Sequence, residues 1–284
     1  MARKKQIESS RTRTRKLLLN VLAVLICVVF LFPLLWILIT SFKPNVEVFS
    51  NQVRFFPSRI TLDPWTDQLA SADFLLSLRN SFVVAVSNMA LSTLLGVTAA
   101  YGLARYRVPF RRAIILLFLV TQMMPGSLLL TPLYLTFSNL KLLNSYPAPV
   151  LAIATGSIPF VVITMRPFFL SLPKSLDEAA RIDGCGALSA FLRIMLPVAR
   201  VGLITGLVFC FLHGWNDLVY SMTFNVKVVM RPLTANIYKF MDQYGTRWNA
   251  IMAYGMILVI PVLLIFVFLQ RYIIGGLTSG AIKE

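Results

Sequence analysis

Residues 171–199 read SLPKSLDEAARIDGCGALSAFLRIMLPVA. Three acids, Asp177, Glu178 and Asp183, stand close together here, bracketed by Leu172-Pro173 and Leu196-Pro197. Ser175-Leu176-Asp177-Glu178 fits a capping box, in which the Ser hydroxyl accepts from the amide three residues on and Glu178 reaches back to the cap. Asp177 and Glu178 sit where a helix N-terminus favours negative charge, and Asp177 to Arg181 is an i,i+4 pair. Leu176, Ala179, Ala180 and Asp183 share a face, and Gly184 supplies a stop because glycine accepts the left-handed conformation. Leu188, Phe191, Leu192 and Met195 then recur at helical spacing until Pro197 breaks or kinks the second helix. The stretch therefore predicts helix, glycine turn, helix.

Its surroundings are apolar. Of the 284 residues 57% are hydrophobic and 13% charged, and the mean hydropathy is +0.76. A soluble domain of this length cannot hide that much apolar surface, so the bilayer is the solvent. Runs of about twenty residues, enough to cross a core of ~30 Å, recur at 17–40, 81–104, 113–136, 147–170, 198–221 and 250–270. The first is too long for a signal-peptide core and reads as a retained span. The expected fold is an all-α polytopic membrane protein with six transmembrane helices. A basic N-tail, 1–16, precedes a six-helix transmembrane body, 17–270, that includes the 171–197 loop, and a C-tail, 271–284, follows it.

The net charge of +16 is membrane topology rather than a nucleic-acid footprint, because the charge sits in short segments between apolar runs. With six spans, eighteen Lys and Arg fall on the side holding both termini, the Arg105–Arg112 turn and residues 165–200, which include the 171–197 loop, against nine on the other. The richer side is expected to be cytoplasmic. The outward segments are then 43–80 and 222–249, the second ending in Tyr238, Phe240, Tyr244 and Trp248. That aromatic group reads equally as an interfacial belt or as a docking surface.

No enzyme chemistry assembles from this composition. Cys27, Cys185 and Cys210 share no metal-like spacing, and His213 is the only histidine, so neither a zinc site nor a catalytic triad is in view. No glycine-rich phosphate loop is present. Almost no ionisable residue lies deep in a span; the one candidate is Asp217, near the outer end of the fifth. Ion-coupled transporters carry buried carboxylates, so energy for uphill transport is expected to enter from elsewhere. A flat alanine face ringed by charge suits docking on a protein better than lying on an anionic leaflet.

The stretch DEAARIDGCGALSAFLRIMLP resembles the EAA loop of ABC-importer permeases: E-A-A, three residues, G, nine residues, then I-x-L-P. Glu178, Ala179, Ala180, Gly184, Ile194, Leu196 and Pro197 fill that pattern. SFKPNVEVF, NSFVVA, AAYGLARYRVPFRR, MMPGSLLLTPLY, the WND of residues 215–217 and QRYIIGGLTSGAIKE resemble the carbohydrate branch, and within it the smaller maltose-type permease subunit. Cys185-Gly186 stands where Ala-Ser is more usual, and His213 precedes WND.

The resemblance implies a transport subunit in the bacterial inner membrane with no ATPase site of its own. Its implied partners are a second permease subunit, two cytoplasmic ATPase subunits holding ATP and Mg, an external solute-binding protein, a carbohydrate and lipid, with no nucleic acid. The chain itself would bind no cofactor or metal. The loop would couple to the ATPase through Glu178, Ala179, Ala180, Asp183, Gly184, Ile194 and Pro197, and the spans would alternate access. Glu178 is open to two roles, contact with the ATPase and capping of its own helix. Trp215, Asn216 and Asp217 combine an aromatic plane with hydrogen-bonding groups, and read either as substrate path or as helix packing with an interfacial anchor. An importer of a glycerol-phosphate or polyol type of solute is the alternative, and an ion-coupled secondary transporter a more distant one.

Overall fold

The computed structural model describes residues 2–50, 52, 54–242 and 245–278. The described residues are carried mainly by the helices α1 (Ala2–Ser41), α2 (Ala72–Arg105), α3 (Arg111–Met123), α4 (Leu130–Asn139), α5 (Pro147–Ser171), α6 (Ser175–Ile182), α7 (Ala187–Val198), α8 (Arg200–Trp215), α9 (Val219–Phe224) and α10 (Trp248–Thr278). A further helix at Asp63–Leu69, short helical turns and a two-residue antiparallel ladder, Met241–Asp242 with Gly245–Thr246, accompany them. Among the described residues four helices are individually long and apolar enough to cross a membrane: Arg15–Ser41 of α1, α2, α5 and Trp248–Tyr272 of α10.

The other two apolar runs are not single helices. The run at 113–136 breaks between Met123 and Gly126 with a 99° bend. Met124 and Pro125 are both extended there, because proline lacks the amide that would continue the ladder and disfavours helix at the residue before it. The run at 198–221 is likewise divided. Its helix is α8, which follows α7 after an 86° bend at Ala199 and ends at Trp215, and residues 219–224 form the separate α9. Pro197 does not break α7. A π turn over Phe191–Met195 precedes it, and the chain stays helical through Pro197 before it bends. Counting each bent pair as one crossing raises the number of candidate spans from four to six.

The described residues up to Ala70 with Lys239–Ile257 form one compact unit. There the Lys43 ammonium donates to the Arg54 carbonyl at 2.6 Å and lies 4.7 Å from the Trp36 ring centre. Asn249 donates to the Lys43 carbonyl at 3.1 Å, and the Trp65 indole donates to the Ser41 hydroxyl at 3.2 Å. The Glu47 carboxylate accepts from the Ser58 amide and hydroxyl, and the amide bond above all holds its pKa below the usual value. Within the aromatic group of the 222–249 segment, Phe240 is buried edge-on to Tyr254, whereas Trp248 is exposed. Tyr244 lies outside the described residues.

Ser71–Tyr238 with the described residues from Leu258 on form the second unit, built on α2, α5 and α8. These helices approach closely because small residues line their contacts. A Cβ placed on Gly214 would sit 2.6 Å from the Ala85 Cα, which is backbone and cannot rotate away. Several polar groups buried in this unit make cross-links. Ser77, Asn80 and Ser81, spaced i, i+3, i+4 on α2, take up the 229–236 segment: Asn80 donates to the Val229 and Arg231 carbonyls at 2.8 and 3.0 Å, Ser81 accepts from the Leu233 amide at 2.8 Å, and Ser77 bonds Asn236. The 229–236 part of the 222–249 segment is thus stitched to α2.

Gly214→Ala should lower unfolding stability in detergent by about 1–3 kcal/mol, the usual cost of overpacking a closed contact. Gly102→Ala serves as the control, since nothing lies within 4 Å of a Cβ there.

Candidate functional site

The hairpin of α6 and α7 starts one residue earlier than the capping box requires. Lys174 is already helical and its carbonyl accepts from the Asp177 and Glu178 amides at 3.0 and 3.2 Å. Ser175 is therefore inside the helix, and no side chain caps it. Pro173, with its fixed φ, stands immediately ahead of that first turn. Glu178 is exposed, and its carboxylate has no hydrogen-bond or ion-pair partner among the described residues.

Asp177 does not pair with Arg181 as expected. It takes Arg105, the last residue of α2, at 3.2 Å, and the Tyr101 hydroxyl donates to its other oxygen at 3.2 Å. Arg105 also donates to the Leu172 and Pro173 carbonyls at 3.0 and 3.4 Å. Its side chain is 8% exposed and that of Asp177 21%. A largely dehydrated pair with extra hydrogen bonds outcompetes a solvated i,i+4 contact worth ~0.5 kcal/mol or less.

Gly184 behaves as its position demanded, with φ +77°. Its amide donates to the Arg181 carbonyl at 3.1 Å and the Cys185 amide to the Ala180 carbonyl at 2.9 Å, the paired bonds of a Schellman stop. The alanines do not share an outer face: Ala180 is buried against the body of the protein and Ala179 is exposed. In α7, Phe191 and Met195 turn inward onto Tyr101, Met165 and Phe169, while Leu188 and Leu192 stay outside. The π turn interrupts the regular period, so the expected four-residue stripe is split. Ile194 is half-buried and Pro197 exposed. The outward surface is Glu178, Ala179, Ile182, Asp183 and Leu188, with Ile182 86% exposed.

A second feature lies where the α3–α4 break faces α5 and α8. It is a cavity of about 600 Å³ lined by Gln122, Gly126, Gly156, Phe209, His213, Asn216, Asp217 and Tyr220, among others. Backbone that leaves the helix at membrane depth survives only where protein or water satisfies it. Here the Gly126 carbonyl accepts from the Tyr220 hydroxyl at 3.2 Å, and the Gly156 carbonyl accepts from Gln122 at 2.6 Å.

The structure divides the Trp215–Asp217 group. Trp215 is 1% exposed, donates to the Leu258 carbonyl at 3.1 Å and packs against Phe82 and Phe211; it does not line the cavity and works as packing. Asn216 and Asp217 do line it. The Asp217 carboxylate accepts the Tyr220 and Ser221 amides at 3.3 and 2.8 Å, so it caps α9. Gln122, Phe209, His213 and Tyr220 were missed from sequence. The available signal was Pro125-Gly126 inside an apolar run, facing Phe209, His213 and Asn216 at helical spacing.

A family model described as the binding-protein-dependent transport system inner membrane component matches residues 92–278. The chain belongs to that family. The permease is 32% identical over 264 residues to the diacetylchitobiose uptake system permease protein DasC of Streptomyces coelicolor, covering 93% of this chain and 96% of that one. It is 31% identical to the trehalose transport system permease protein SugB of Mycobacterium tuberculosis, with 89% and 92% covered. Its fold matches a crystal structure of a bacterial ABC transporter involved in alginate import, with TM-score 0.78, 23% identity, and 92% and 96% covered. The permease is thus a multi-pass membrane protein and a transport subunit rather than an ATPase.

In a double-mutant cycle, Arg105→Ala and Asp177→Ala should show a coupling energy above about 1 kcal/mol, beyond the range of exposed pairs. Denaturant unfolding of the purified permease measures it, and additive single losses would mean the pair contributes nothing.

Proposed function

We propose that this permease is the membrane subunit of an ATP-driven, binding-protein-dependent importer for a sugar or oligosaccharide. The observation that carries the reading is the two-sided hairpin. Its inner side is clamped to α2 by Asp177 and Arg105, while its outer side presents unpartnered Glu178 with Ala179, Ile182 and Asp183. An exposed isoleucine beside free carboxylates is a poor surface for water and a good one for a protein groove.

In this reading six spans place both termini and the hairpin in the cytoplasm of the bacterial cell, as the Lys and Arg bias favours. The hairpin docks on an ATPase subunit that holds ATP and Mg. Glu178 makes the polar contact, Ala179 and Ile182 the close one, and Asp183 assists; Gly184 sets the turn. Ala180, Ile194 and Pro197 shape the hairpin from within rather than touching the partner. Movement of the ATPase pair is passed to α2 through the clamp, so that the spans alternate access around a path shared with a second permease subunit. An external solute-binding protein delivers the solute, and the cavity lined by Asn216 and Asp217 belongs to that path. The sugar class is supported by relatives named for diacetylchitobiose and trehalose.

Two measurements test this. Glu178→Lys or Gly184→Pro should leave membrane insertion intact but reduce ATP-dependent uptake by about tenfold or more in proteoliposomes holding the co-purified partners, the equivalent of ~1.4 kcal/mol of lost coupling. Normal uptake by both variants would remove the docking role. Cys185, in the hairpin turn and partly exposed, should react with an impermeant maleimide in inside-out vesicles and not in right-side-out ones. The reverse labelling would overturn the topology.

A further inference from the structure

His213 has no part in the reading above, yet a chain of buried polar groups holds it. Asn88, on α2, is 0% exposed. Its amide nitrogen donates to the Cys210 carbonyl at 2.7 Å and to the Ser157 hydroxyl at 3.2 Å, and its oxygen accepts from Ser92 at 2.9 Å. The Cys210 carbonyl can only accept, so the amide has one orientation. Ser157 then lies 3.2 Å from Nδ1 of His213. A hydroxyl has a single proton, and no other acceptor for it appears among the described residues. That proton goes to Nδ1. A neutral imidazole accepting at Nδ1 carries its own proton on Nε2.

Most other polar groups on the cavity wall are already engaged. Thr121 and Thr155 donate to carbonyls of their own helices, Tyr220 donates to Gly126, and Asp217 caps α9. Gln122 uses its nitrogen on Gly156 and keeps its oxygen. Asn216 has no side-chain partner among the described residues. The free groups are one N–H donor at His213, one acceptor at Gln122 and one donor–acceptor amide at Asn216, beside the Phe209 ring. A sugar offers hydroxyls that both give and accept, with apolar C–H faces between them.

We infer that His213, oriented by Asn88 and Ser157, forms with Gln122 and Asn216 a hydrogen-bonding subsite for a neutral sugar in this cavity. The inference rests on the cavity belonging to the solute path, and it makes His213 a contact residue and Ser157 a positioning residue. The fixed donor favours an oxygen acceptor at one place on the sugar and so contributes to selectivity, not only to passage.

His213 is the only histidine in the chain, so nitrogen-labelled histidine in the full-length permease in lipid nanodiscs gives one imidazole to observe by NMR. The expected spectrum is that of the Nε2–H form, with the Nε2 signal moved by trehalose or diacetylchitobiose. Ser157→Ala should mix the two tautomers. In proteoliposomes with the co-purified partners, His213→Ala should raise the half-saturating concentration of the transported sugar about tenfold, the upper range for one hydrogen bond. An Nδ1–H spectrum, or an Nε2 signal unmoved by both sugars, overturns the subsite. So does an unchanged concentration dependence in His213→Ala, and the importer reading then survives. A wild-type assembly that moves no sugar overturns that reading instead.

Discussion

Lipid offers a backbone amide or carbonyl nothing to bond with, and this one constraint accounts for where the chain departs from straight helices. The departures are met in two ways, by a partner from elsewhere in the unit and by a local change of helix type. At Pro125 the lost ladder is answered by Tyr220 on Gly126. Ahead of Pro197, a π turn carries the chain through the proline without ending the helix. The broken segments therefore mark places where the protein supplies a polar interior. One of them holds the cavity, and the other carries the hairpin into α8.

The same logic makes Asp177 and Arg105 a structural pair rather than decoration. Placing them at the junction of α2 and α6 binds a surface loop to a long helix by three kinds of contact: an ion pair, a tyrosine hydroxyl and two carbonyls. Because the arginine is nearly dehydrated, leaving either partner alone would strand a charge. The hairpin is held on its inner side, and what it presents outward is decided by that grip.

Much of this was legible in the residues, because apolar run length and glycine chemistry act locally. Gly184 specified a left-handed stop from sequence, and the helix–turn–helix follows from it. What was not legible depends on partners far apart in the chain. The i,i+4 pairing of Asp177 with Arg181 was a fair local inference, but Arg105, more than seventy positions earlier, offers a drier contact. The capping box failed because Pro173 and Lys174 begin the helix one residue sooner. Two alanines side by side look alike in sequence, yet a helix turns them to different sides, so only Ala179 reaches the surface. The WND group divided for a related reason: Trp215 finds a carbonyl on α10, and no local rule could locate Leu258.

The contact between Gly214 and Ala85 has a mechanical side. Helices joined through long side chains have slack, since rotamers absorb small shifts. Where backbone touches backbone there is no rotatable bond to give, so the joint is stiff. α2 holds the hairpin at one end, through Tyr101 and Arg105, and bears on α8 at Ala85, next to the turn that carries His213. The hairpin and the cavity wall are thus joined through one helix whose contact with α8 at Ala85 has no side-chain slack.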